Sequence, residues 1–185
     1  MKAFVLSAAA AAALAIIPAS PAGAAVQTLG GPLAKVCYDH AVAGEGGRFA
    51  IDGCTRALEE EGLLAPDQAA TYVNRGIVYM SAGRAAEADA DFDSALKINA
   101  QLADGWLNKG FLRIRQGKGR DALPLIQRGI DSGAGNQALA IFARGVAHEQ
   151  MGEYGAAYAD LKRARELQPG WSLPKEYLAS YQVRR

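Results

Sequence analysis

The sequence predicts an all-α protein built as a stack of helix pairs. Three observations predict it. Short strings recur at a near-constant spacing, apolar residues between them recur every three to four positions, and glycines punctuate the array in step. Half of the 185 residues are apolar, enough to bury a core in one domain with a tail. Twenty Lys and Arg stand against nineteen Asp and Glu. That balance gives no overall attraction to nucleic acid or to an anionic membrane. A zinc site of four Cys/His ligands would consume both His and both Cys. These counts disfavour a metalloenzyme and a nucleic-acid binder, and no cofactor or metal is implied.

Residues 1–24 read as a secretory signal peptide. Met1-Lys2 gives a short positive start, and Phe4 to Ile17 is apolar but for Ser7. Pro18 ends the run, and Ala22-Gly23-Ala24 offers the small-x-small pattern of a cleavage site. A transmembrane anchor is the alternative, but spanning takes about 20 apolar residues. No Cys follows closely and no twin-Arg pair is present, so ordinary export is expected. Cleavage near Ala24 would leave a periplasmic or secreted chain, with no stable membrane insertion.

The repeats occupy residues 69–171. Asn74-Arg75-Gly76, Asn108-Lys109-Gly110 and Ala143-Arg144-Gly145 mark the array. Seven residues after each Gly stand Gly83, Gly117 and Gly152. Twelve after stand Ala88, Ala122 and Ala157, and sixteen after stand Phe92, Ile126 and Leu161. Each unit reads as helix, tight turn, helix. The turn Gly permits the positive φ that ends a helix. The Gly inside the first helix costs about 1 kcal/mol against Ala. The reason expected for it is close approach of the second helix through its small Ala. Pro124 falls early in a second helix, so that helix is expected to start late, near Arg120 or Asp121.

These spacings and residues resemble the tetratricopeptide repeat. The units are Tyr72-x2-Arg75-Gly76-x2-Tyr79 with Ala88-x3-Phe92, Trp106-x2-Lys109-Gly110 with Ala122-x3-Ile126, and Ile141-x2-Arg144-Gly145 with Ala157-x3-Leu161 and Pro169. The resemblance implies a right-handed α-solenoid of repeats 69–102, 103–137 and 138–171. The family's usual Leu before the Gly is Arg or Lys in all three. Residues 25–68 resemble a degenerate fourth unit, with Val36 to Val42 as first helix and Ala50, Cys54 and Ala57 on the second. A longer link through Glu59-Glu60-Glu61-Gly62 and Pro66 is expected. Residues 172–185 would add a capping helix over Leu173 to Val183, with an apolar stripe of Tyr177, Leu178 and Tyr181.

The repeat alignment puts Cys37 and Cys54 on facing sides of the N-terminal helix pair. In an exported chain they read as a disulfide. A redox pair, a thiol–metal site with His40, and free thiols are the alternatives. No Gly-x-Ser-x-Gly elbow, phosphate loop or His-Glu-x-x-His motif is present. His148 reads as a packed residue, and Asp89, Asp91 and Asp93 read as a solvated helix face.

The resemblance places first helices on a concave surface. Val73, Asn74, Ile77 and Met80 would line it from the first repeat, with Leu107, Asn108, Phe111 and Ile114 from the second. Leu139, Phe142, Ala143 and Val146 would line it from the third. A carboxylate clamp is disfavoured, because only Asn108 fits one. An apolar groove suits an amphipathic helix or an extended apolar peptide, with Asn74 and Asn108 bonding its backbone. Packing of these residues between first helices, or under the C-terminal helix, is the competing reading. Residues 25–104 carry twelve acidic and six basic groups, and residues 105–185 carry seven and thirteen. The expected activity is protein–protein binding without chemistry. Self-association, with the groove filled by its own or a neighbour's C-terminal helix, is the second reading. An enzyme using Cys37, Cys54 and His40 is the third.

Overall fold

The computed structural model describes residues 5–8, 25–28 and 30–184. Among them lie α1 (Pro32–Ala43), α2 (Arg48–Glu60), α3 (Ala65–Ser81), α4 (Ala85–Ile98) and α5 (Ala103–Arg115). They are followed by α6 (Gly119–Asp131), α7 (Gln137–Gln150), α8 (Tyr154–Leu167) and α9 (Ser172–Ala179). Two short strands, β1 (Val5–Ala8) and β2 (Tyr181–Arg184), pair antiparallel with Val5 opposite Arg184. Consecutive helices pack as pairs, and each pair stacks on the next. Apart from that strand pair, which the sequence did not predict, this is the helical solenoid expected. The leader reading concerns residues 1–24, of which only Val5–Ala8 are described. No described helix is long and apolar enough to cross a membrane.

The turn glycines act as the pattern predicts. Gly83, Gly117 and Gly152 have φ of 75°, 71° and 77° and follow α3, α5 and α7. The N–H of the next residue then bonds back into the last turn: Arg84 to the Tyr79 carbonyl, Lys118 to Arg113 and Glu153 to His148, each at 2.9 Å. Those bonds satisfy carbonyls that a helix end leaves open.

The glycines inside the first helices have a different reason from the one expected. A Cβ on Gly76 would collide with the Phe92 ring, and one on Gly110 with Ile126. At Gly145 it would lie 3.2 Å from Leu161 Cγ. The glycine therefore makes a hole for the large residue sixteen positions on, rather than setting small against small. The Phe92 ring is fully buried and cannot step aside. Gly76→Ala is expected to lose about 1–3 kcal/mol by overpacking, even after a helix-propensity gain of about 1 kcal/mol. A urea melt of the variant measures it; an unchanged midpoint would refute the packing argument.

The residue before each of these glycines is charged because it is paired. Arg75 donates from Nε and Nη2 to the two oxygens of Asp91 at 2.7 and 2.8 Å, and from Nη1 to Thr55 on α2 at 3.2 Å. Arg144 repeats the pattern with Asp160 and with Gln127 on α6, at 2.8 Å throughout. Each arginine so ties its own second helix to the one before. In the second repeat the matching position is Leu125, so Lys109 turns back instead. Its Nζ lies 2.6 Å from Asp93 and 3.0 Å from Asp89 on α4, and Arg113 joins Asp89 at 2.8 Å. Asp89, Asp91 and Asp93 are thus bridging groups; Asp91 is buried, whereas Asp93, 52% exposed, keeps the solvated face expected of it. Burial works to raise the Asp89 carboxyl, but hydrogen bonds from Arg113 and Lys109 hold it below its usual range.

The N-terminal pair differs from its expected outline. The link after α2 is short, spanning residues 61–64, because Pro66 sits within the first turn of α3 rather than in a loop. Glu61 does not idle at a helix end. Its carboxylate accepts from the N–H groups of Leu33 at 2.6 Å and Ala34 at 2.8 Å, at the start of α1. A carboxylate there satisfies orphan donors and complements the helix dipole. The approach runs over Gly31, where a Cβ would strike Glu61.

Two other boundaries move. Helix α6 begins at Gly119, ahead of the expected start, so Pro124 lies sixth in the helix and forfeits its bond to the Arg120 carbonyl. The C-terminal helix stops at Ala179, and Tyr181 begins β2. Tyr181 still packs inward, with ring centroids 6.5 Å from Tyr154 and 5.8 Å from Tyr158. Burial pushes the Tyr177 phenol up to about 12, and the charge of Glu149 adds to it. Burial also raises the Glu149 carboxyl. A raised carboxyl opposes folding while ionised, and that penalty is lifted as pH falls through its folded pKa. Glu149→Gln is therefore expected to be more stable than wild type at pH 7. The advantage should close at pH values below the ordinary carboxylate range, as read by thermal melts across pH. A constant difference would refute it.

Candidate functional site: the first-helix face

The predicted groove residues sit on α3, α5 and α7. All ten are at most 2% exposed: Val73, Asn74, Ile77, Met80, Leu107, Asn108, Phe111, Ile114, Phe142 and Val146. Leu139 and Ala143 are as deeply buried. The face is therefore covered. Leu107, Phe111, Ile114, Phe142 and Val146 share one apolar cluster that spans α5, α6, α7 and α8. Phe142 lies under the C-terminal segment, its ring 4.9 Å from Trp171 and 5.0 Å from Tyr177.

The first repeat is covered by the chain ahead of α1. Ala25 and Val26 pack against the cluster that holds Val73, Ile77 and Met80. Asn74 accepts from the Val26 N–H through Oδ1 at 2.9 Å and donates from Nδ2 to the Val26 carbonyl at 2.8 Å. One side-chain amide thereby pairs with both backbone groups of one residue, as a neighbouring strand would. Asn108 is placed alike on α5, but its Nδ2 donates to the Asp104 carbonyl one turn back. Burial raises the Asp104 carboxyl. The sequence pointed to Asn74 as a backbone reader. It did not point to Val26, because two hydrogen bonds to backbone leave no mark on side-chain pattern.

The other candidates resolve simply. Cys37 and Cys54 form a disulfide with Cα atoms 4.6 Å apart. Both are fully buried, and this pairing replaces the thiol–metal and free-thiol readings. His40 pairs instead with Glu45 at 2.5 Å, and His148 with Glu153 at 2.6 Å. A cleft of about 560 Å³ opens between α6, α7 and α8, beside Pro124, Gln127, Arg144, His148 and Asp160. Its polar groups are spent on each other, since Arg144 already binds Asp160 and Gln127. Among the described residues no group of three His, Cys, Asp or Glu is placed to hold a metal ion.

Helix pairs closed by Gly turns and stacked in register define an α-solenoid of helix–turn–helix repeats. Residues 69–102 match the family model of the tetratricopeptide repeat. The chain therefore carries a tetratricopeptide repeat within a tetratricopeptide-like solenoid. No curated protein matches it in sequence. Among solved structures, the first TPR domain of the human RPAP3 protein is similar at 19% identity and a TM-score of 0.58, over 62% of this chain and 89% of that one. MamA is similar at 18% identity and 0.60, over 77% and 80%. The MamA RS-1 ArsTM double mutant is similar at 18% and 0.62, over 80% and 82%. At these identities the likeness concerns the fold. A fold of this type suggests a scaffold for protein–protein interaction, and such repeat proteins are typically non-catalytic adaptors.

Proposed function

We propose that the chain is a non-catalytic adaptor of the bacterial envelope, exported by its leader and cut near Ala24. Its first-helix face takes an extended apolar segment or an amphipathic helix. One observation carries this reading: the Asn74 amide grips both backbone groups of Val26. That contact is backbone recognition of an extended segment, on the helix face where a partner is expected.

The test follows from burial. Glu at Ile77 or Phe111 would put a charge where exposure is 0–1%, so such variants would report unfolding rather than binding. Asn74→Leu keeps the branched skeleton of the side chain and removes both bonds. Fluorescence titration would compare a labelled extended apolar octapeptide, an amphipathic helical peptide and an acidic control. One of the first two is expected to bind the chain once Val26→Pro has freed Asn74, and to lose about tenfold when Asn74→Leu is added, the scale of one or two neutral hydrogen bonds. Equal binding by both proteins would move the site elsewhere. The leader reading is checked by N-terminal sequencing of protein recovered from the periplasm, which is expected to begin near Ala25.

Self-association is a second reading, favoured by Phe142 lying under the chain's own C-terminal segment and by the opposite charge of the two halves. Light scattering that gives a monomer at high concentration would end it.

A further inference from the structure

Residues 25–28 form a strap ahead of α1, and Asn74 holds it at Val26. We infer that this strap is a built-in competitor for the groove: an extended partner segment binds Asn74 only by displacing residues 25–28. The inference rests on the adaptor reading above and adds its regulation.

Three features support displacement. First, the Asn74 amide reads backbone, not side chain. Any extended residue with a free N–H and carbonyl satisfies it equally, whereas proline lacks the donor. Second, the strap is lightly held. Ala25 and Val26 are only partly buried, and the Thr28 hydroxyl is buried with no hydrogen-bond partner among the described residues. An unpaired buried hydroxyl opposes the closed state. Third, Asn74 is fully buried beneath the strap, so an incoming segment cannot reach its amide while the strap is seated.

The tether makes so light a contact effective. Only residues 29–31 separate the strap from α1, and a short link holds a segment at an effective concentration of about millimolar. The strap therefore excludes weak and dilute ligands and yields to segments that make more contacts than its own. The partner's chemistry follows from the site. It is an extended segment with a non-proline residue over Asn74 and a small apolar side chain beside Val73 and Ile77.

The test uses the full chain with the strap loosened. Val26→Pro removes the N–H that Asn74 accepts, and Val26→Asp removes the apolar contact; circular dichroism checks that both keep their helicity. The probe is a fluorescent peptide of residues 25–31. A strap closed in 99 of 100 molecules weakens an outside ligand about 100-fold. Val26→Pro and Val26→Asp are thus expected to bind the probe at least about tenfold more tightly than wild type. Adding Asn74→Leu to Val26→Pro is expected to abolish the gain. Equal binding by wild type and the strap variants overturns the competitor and leaves the adaptor reading standing. A gain that survives Asn74→Leu overturns the assignment of the site. Absence of binding by every protein, with the octapeptide and helical peptide as well, overturns both the competitor and the adaptor reading.

Discussion

Arg75→Met is expected to cost about 3–5 kcal/mol of folding stability. The estimate follows from burial at both ends of one ion pair. The Arg75 and Asp91 side chains are 17% and 7% exposed, and their forked hydrogen bonds are 2.7 and 2.8 Å long. The guanidinium also lies between two rings, 5.6 Å from the Tyr72 centroid and 5.7 Å from that of Tyr79. Burial alone would lower the Arg75 pKa, but the Asp91 carboxylate more than restores it, so the guanidinium is held charged. Removing the arginine strands a carboxylate that the fold keeps from water, and a lost bond to Thr55 unties α3 from α2. The pair itself is worth far less than its breakage, because both ions were desolvated to make it. Arg75→Met with Asp91→Leu is therefore expected to recover most of the loss. A denaturant series on wild type, the single variants and the double variant reads the coupling directly. A double variant no better than Arg75→Met would mean that the arginine acts through its ring contacts and Thr55 instead.

The same pair shows what the sequence could and could not yield. Arg75, Lys109 and Arg144 were legible as departures from the family pattern, and the carboxylates sixteen residues after the two arginines were legible as residues. Their union was not, because it depends on how one helix turns against two neighbours. Asp89, Asp91 and Asp93 alternate by two, which scatters them around an isolated helix. In an array that scatter is useful: Asp91 meets α3 behind it, while Asp89 and Asp93 meet α5 ahead. Leu125 stands where the other repeats have Asp, and Lys109 turning back to α4 follows from that one residue. Period and turn chemistry were readable since each rests on local geometry, the 3.6-residue repeat and positive φ at Gly83, Gly117 and Gly152.

The site was legible only in part, for a related reason. Asn74 stood out, with Asn108, as an amide within an apolar face. The strap that meets it has no period, no charge and no turn signal, so nothing set Val26 apart. The end of α9 was hidden likewise. Tyr177 and Tyr181 are one helical turn apart, but Tyr181 reaches Tyr154 and Tyr158 from a strand. Glu61 was read by its place at the end of α2, whereas its side chain serves the start of α1. In each case a contact between segments distant in sequence outweighed the local pattern.

Cys37→Ser with Cys54→Ser is expected to cost about 3 kcal/mol, the chain-entropy value for a loop of this length. The number matters because of where it falls. Helix α1 buries only Ala34, Cys37 and Ala41, and α2 only Ala50, Cys54 and Ala57. Helix α3 buries Val73, Ile77, Val78 and Met80 on its apolar side. Small side chains remove little apolar surface from water, so packing alone holds the first pair weakly. The disulfide, with Glu61 at the start of α1, supplies what the core there lacks. In a stacked array each unit is stabilised mainly by its neighbours, so a weak terminal pair opens ahead of the rest. Reduction should therefore release α1 and α2 in a separate transition below the main one, and the strap should loosen with α1. Hydrogen exchange reads both effects: protection at the Val26 amide and across residues 32–60 is expected to fall, while residues 65–167 hold theirs. Uniform loss along the whole chain would show one cooperative unit instead, and unchanged protection would show that the bridge adds nothing to a pair already closed by packing.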